Sequence, residues 1–154
     1  MPAYRPLGPG DLEAARALFA AEHVAAPFLA RASEYLDAAG RGDALAVVAY
    51  EHDELRGVIL GGAVAGAVGT ATLTGVCVIP SARRRGVASA LVAAAVSAFT
   101  ARRMRLITAE MPVDPRIAPA MALMKRNGFT EEGRVRDFVA TGIDLAIMVR
   151  RLKG

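Results

Sequence analysis

The chain has 154 residues, 54% hydrophobic and 22% charged. That is one ordinary domain burying roughly two-thirds of its unfolded surface, which excludes two full domains and a mainly disordered chain. One cysteine and two histidines exclude a disulfide scaffold and a zinc finger, and no metal is expected. A net charge of +4 leans mildly towards an anionic ligand. Acidic Asp11 and Glu13 stand where a secretion signal would carry its apolar core, so a cytoplasmic protein is the expectation.

Tyr4 to Leu7 reads as a short first strand. Pro9-Gly10-Asp11 then turns the chain, and Asp11 is expected to cap a helix with Leu12, Ala15, Leu18 and Phe19 on one face. A second helix follows Pro27, striped by Phe28, Ala32, Tyr35 and Leu36, and ends at Gly40-Arg41-Gly42-Asp43. Two apolar β-type runs, Ala44 to Tyr50 and Leu55 to Val64, form a hairpin around a polar Glu51-His52-Asp53-Glu54. Thr70 to Ile79 is a further strand, stopped by Pro80. From Gly57 through Ile79 no residue is charged, a length that would cross a bilayer. Six glycines and a content of Val, Ile and Thr favour two buried strands instead.

Val87 to Ala101 is a helix with Leu91, Val92, Ala95, Val96 and Phe99 facing the core. Met104 to Met111 reads as a fifth strand. Prolines 112, 115 and 119 hold the next segment open until Pro119 enters the first turn of a helix that ends at Asn127, with Gly128 as its cap. Val135 to Ala140 and Ile143 to Val149 are expected to pair antiparallel across Thr141-Gly142. The fold class is therefore α/β (mixed α+β) in one domain over residues 1–154, with a central twisted mixed sheet of about seven strands and helices on both faces.

Chemistry concentrates in Val76-Cys77-Val78-Ile79-Pro80-Ser81-Ala82-Arg83-Arg84-Arg85-Gly86-Val87-Ala88, a buried strand leading through a basic loop into a helix. The first amides of a helix have no intrahelical partner and the dipole there is positive, so such a turn can hold a phosphate group. Gly86 and Ala88 lack bulk, and three arginines add charge. The clustered charge is local and has no interleaved aromatics, which argues against a nucleic-acid surface.

Arg83, two residues, Gly86, one residue, Ala88 resembles the acyl-CoA pyrophosphate loop of the GNAT superfamily of N-acetyltransferases. Ala120-x-x-Leu123-Met124-Lys125-Arg126-Asn127-Gly128-Phe129 is similar to the family's second signature, and the order of elements resembles the family's over nearly the whole chain. The resemblance implies a GNAT-like fold in which the fourth and fifth strands splay apart and acetyl-CoA, as co-substrate, enters between them. Val76, Cys77 and Val78 would lie along its pantetheine arm, and Arg83, Arg84, Arg85, Gly86, Val87 and Ala88 would hold its pyrophosphate. It further implies direct attack by a primary amine of a small molecule or peptide, with the backbone N–H of Val78 polarising the thioester carbonyl. Neither nucleic acid nor membrane is an expected partner, and a homodimer is compatible with the family.

An alkylamine with a pKa of about 10 needs a base at neutral pH. Glu110 is the carboxylate that falls near the splay; it is either that base or a surface residue, and a water chain could do the same work. Cys77, with apolar flanks, is expected to be structural rather than nucleophilic. Two positions depart from the family. Its proton-donating tyrosine falls at Met124 and a frequent asparagine at Ile117, which leaves open a catalytically degenerate acyl-CoA-binding or sensing module. His23, Phe28 and Tyr35 are candidates for acceptor contact or for plain packing, and the loop from Pro112 to Pro119 is expected to border the acceptor site.

Overall fold

The computed structural model describes residues 1–21 and 26–153, the side chains of residues 26–30 apart. The strands are β1 (Ala3–Pro6), β2 (Leu45–Glu51), β3 (Glu54–Ala63), β4 (Thr70–Val78), β5 (Leu106–Pro112), β6 (Thr130–Ala140) and β7 (Ile143–Arg151). The helices are α1 (Leu12–Ala21), α2 (Ala26–Gly40), α3 (Val87–Ala101) and α4 (Ala118–Arg126). One seven-stranded sheet runs in the order β1-β2-β3-β4-β5-β7-β6. Only β4 and β5 are parallel in it, joined by the α3 crossover, because a parallel pair needs a connection long enough to return the chain.

Period-2 alternation sends the side chains of β2, β3 and β4 to two cores. Leu45, Val47 and Ala49 of β2 join α3 and α4 in the larger one. Ala46 and Val48 join Ala15, Leu18, Phe19, Ala32 and Leu36 of α1 and α2 in the other. Phe99 is fully buried and lies 3.2 Å from where a Cβ on Gly61 would stand. The long uncharged run is β3 plus β4, and no helix among the described residues is long and apolar enough to cross a membrane.

Three local readings are corrected. Asp11 does not cap α1: its carboxylate accepts from the Gly8 amide at 2.7 Å, from Arg5 at 2.7 and 3.1 Å and from the Tyr50 hydroxyl at 2.8 Å. A buried carboxylate needs several donors, and here they tie β1 and β2 to the turn before α1. The last hairpin's first strand begins five residues early, at Thr130, because this sheet edge is exposed and polar along Thr130–Arg134 and shows no apolar alternation. Between Pro112 and α4 the chain makes a 3-10 turn, Pro115–Ile117, whose first amides are met by the Asp114 carboxylate at Arg116 N, 2.9 Å.

Candidate active site

The parallel ladder between β4 and β5 is short. Thr70 to Leu73 pair with Leu106 to Ala109, after which β5 continues against β7 alone while β4 continues against β3. The cause is a β-bulge: Leu60 faces Gly75 and Gly61 faces Leu73, so Thr74 is an extra residue. A bulge bends its strand and resets the alternation. Ala71 and Leu73 face the α3/α4 core before it, and Val76 and Val78 do so after it. The two strands part into an opening whose β4 edge is Val76 to Val78.

Ile79 donates its amide to the Arg56 carbonyl of β3 at 2.9 Å. Alternate residues of a strand turn their peptide groups to opposite neighbours, so Cys77 also addresses β3, opposite Val58, while Val76 and Val78 address the opening. The Cys77 peptide groups thus face β3 and not the opening. Its side chain lies in the α1/α2 core, and burial pushes the thiol up to about 11, as expected of a structural cysteine.

Beyond β4, Pro80–Ala82 makes a 3-10 turn and the chain reaches α3 through the three arginines. Arg83 folds back and its Nε donates to the Val78 carbonyl at 3.1 Å, which fixes the loop to the edge of the opening. Arg85 pairs with Glu51 at 3.1 Å. Arg84 has φ +61° and Gly86 φ +80°, a left-handed pair around Arg85 that curls successive amides into a concave turn. The first intrahelical bond of α3 is Ala90 N to Gly86 O at 3.0 Å, and no side chain caps the helix. The amides of Val87, Ala88 and Ser89 therefore point ahead of the helix with its positive dipole end. A Cβ on Gly86 would meet nothing within 4 Å, so the backbone is open to close approach by an anion. These features fit the pyrophosphate and pantetheine of a CoA thioester: an uncapped helix start, an open glycine and β4 peptide groups that face the opening one strand-turn away.

On the α1/α2 side, Glu110 is the first residue of β5 past the last β4 pair. Ile107 and Ala109 lie in the α3/α4 core, so alternation turns Glu110 to the opposite face. There Arg31 of α2 approaches it, Nη1 to Oε2 3.5 Å, with the two side chains 51% and 47% exposed. Sequence reasoning missed Arg31, since a contact between a helix and a strand 79 positions later leaves no local signal.

Met124 is buried in the α3/α4 core, and Ile117 precedes α4 without a side-chain cap. Tyr35 lies 3.3 Å from a Cβ position on Gly62, level with the paired half of β4. Tyr50 is engaged by Asp11, and Tyr4 lies on β1. His23 and the side chain of Phe28 lie outside the described residues. The proline loop and the outer face of α4 enclose an apolar groove of about 430 Å³ including Val113, Ile117 and Met121. Asn127 at the end of α4 donates to Ser89 Oγ at 3.2 Å, joining that helix to the first turn of α3.

Comparison with known proteins finds relatives of this fold. The model of the acetyltransferase (GNAT) family matches residues 12–129, and no curated protein matches the sequence. A GNAT-family protein of Desulfovibrio desulfuricans superposes with a TM-score of 0.87 at 24% identity, covering 99% of this chain and 100% of its own. The ribosomal-protein-alanine N-acetyltransferase of Brucella melitensis gives 0.80 at 22%, covering 97% and 99%. YncA of Salmonella typhimurium, determined with acetyl-CoA, gives 0.81 at 17%, covering 100% and 95%.

Proposed function

The chain belongs to the GNAT family of acetyltransferases, which draw on acetyl-CoA, and we propose that it transfers an acetyl group directly to a primary amine of a small molecule or peptide, acting as one domain over residues 1–154. The observation that carries this reading is the parting of β4 from β5 immediately before the uncapped start of α3. Acetyl-CoA supplies an activated acyl group: the acceptor nitrogen forms the new amide as the thioester C–S bond breaks and CoA departs as a thiolate.

The protein's part is positioning and charge. The amides of Val87, Ala88 and Ser89, with the curl at Arg84 to Gly86, hold the pyrophosphate. The peptide groups of Val76 and the N–H of Val78 pair with the pantetheine amides as an added strand would. The Val78 N–H, which faces the opening, also polarises the thioester carbonyl, where a fixed donor gains from exclusion of water. Glu110, the first residue of β5 past its last β4 pair, takes the proton that the amine must lose. Met124 has no proton to give. A thiol with a pKa of about 8.5 nevertheless leaves tolerably as thiolate near neutral pH, so the missing tyrosine is compatible with turnover.

The test is release of free thiol from acetyl-CoA with a panel of amines, for the wild type and Glu110→Gln. Amine-dependent release that falls about 10²-fold or more in the variant, with CoA affinity unchanged, supports the assignment. Binding of acetyl-CoA without release on any amine would instead assign a module that binds acyl-CoA without turnover.

A further inference from the structure

The acceptor side of the opening carries a charge pair. Arg31 projects from α2, which is anchored by buried Ala32 and Leu36, and its Nη1 lies 3.5 Å from Glu110 Oε2. The other α1/α2 guanidinium in this region, Arg16, is engaged by Ser33 and Asp37. Resting on the reading of Glu110 as the proton acceptor, we propose that Arg31 and Glu110 together recognise a zwitterionic acceptor, an amine with a carboxylate on the adjacent carbon, the chemistry of a free α-amino acid.

The argument is one of charge and spacing. An acceptor bearing only an ammonium group would be drawn to Glu110 and repelled by Arg31, so the two effects oppose each other at nearly one place. A zwitterion converts that opposition into two attractions, its ammonium on Glu110 and its carboxylate on the guanidinium fork, which can bind it with two parallel hydrogen bonds. In an α-amino acid the nitrogen and the carboxylate carbon are about 2.5 Å apart, so bonding both ends at about 2.9 Å each requires the two groups, 3.5 Å apart in the ion pair, to swing several Å apart by side-chain rotation. Both partners are about half exposed. Such pairs are held weakly in water, and a ligand can part this one at small cost. The ammonium then lies on the carboxylate that removes its proton, at the mouth of the β4/β5 opening.

The experiment compares kcat/KM, from thiol release with acetyl-CoA, for α-amino acids, their α-amides and the matching amines without the carboxylate group. The acids should exceed both analogues by about tenfold or more, the value of one charge-assisted contact. Arg31→Gln should bring the acids down to the level of their amides, mainly through KM, while Arg31→Lys retains part of the preference and acetyl-CoA affinity stays constant. Turnover of amides and plain amines as good as that of the acids overturns the proposal and leaves the transferase standing. So does an equal fractional loss on all acceptors in Arg31→Gln. Acetyl-CoA binding with no thiol release from any acceptor overturns both.

Discussion

Gly86→Ala separates the role of the loop in binding from its role in folding. Gly86 has φ +80° and ψ 7°, a conformation that costs an L-residue about 1–2 kcal/mol. A methyl group there meets nothing within 4 Å, so strain is the whole folding cost, and for a domain of this size each kcal/mol lowers Tm by about 2–4 °C. Gly142, in the β6/β7 turn, offers a matched control: φ is +79° and a Cβ again meets nothing within 4 Å. Gly86→Ala and Gly142→Ala should therefore lose similar Tm by circular dichroism. Only Gly86→Ala should weaken CoA in a calorimetric titration, by about tenfold or more (about 1.4 kcal/mol), because its methyl occupies the space ahead of the uncapped α3 amides. Wild-type affinity in Gly86→Ala, or equal losses in the two variants, would refute the assignment of the loop.

Arg5 and the other donors hold the Asp11 carboxyl at about 2, below its ordinary 3.8, a difference worth about 2 kcal/mol. Because the folded value is the lower one, this stability is complete above pH 3.8 and is lost as pH falls towards 2. In urea titrations Asp11→Asn should cost about 2 kcal/mol at pH 7 and progressively less below pH 4; a constant gap would refute the coupling. The Cys77 thiol, raised to about 11 by burial, should ignore a thiol reagent at pH 8 in the native protein and react after unfolding, whereas rapid native reaction would contradict its placement. Gly61→Ala would drive its methyl onto the Thr72 backbone carbonyl. It should destabilise by about 1–3 kcal/mol as overpacking does, read as a fall in Tm, and an unchanged Tm would show the bulge relaxing freely.

What the sequence discloses follows burial. The α3 bounds, Val87–Ala101, coincide with the expected ones, because Leu91, Val92, Ala95 and Phe99 face a core at helical spacing and Gly86 interrupts the chain before them. The loop is legible for the same reason, since glycine and charge at a strand-to-helix turn have few uses. The start of β6 was hidden because an exposed edge strand has no apolar rhythm to read. The bulge at Thr74 inserts a residue whose type is ordinary, so neither the length of the β4/β5 ladder nor the turning of Cys77 away from the opening was visible. Asp11 had the right residue type for a helix cap, but the guanidinium of Arg5 and the hydroxyl of Tyr50 outcompete the helix amides through contacts that only the tertiary fold creates. Arg31 on Glu110 is likewise a meeting of distant segments.

The most direct test of where the CoA thioester binds is an amide chemical-shift titration of the isotope-labelled protein with CoA. The account predicts that the largest changes fall at Val76, Val78 and Gly86 to Ser89, on both sides of the Arg83 bridge to Val78. Changes centred instead on the groove between Val113 and Lys125, with α3 undisturbed, would contradict it.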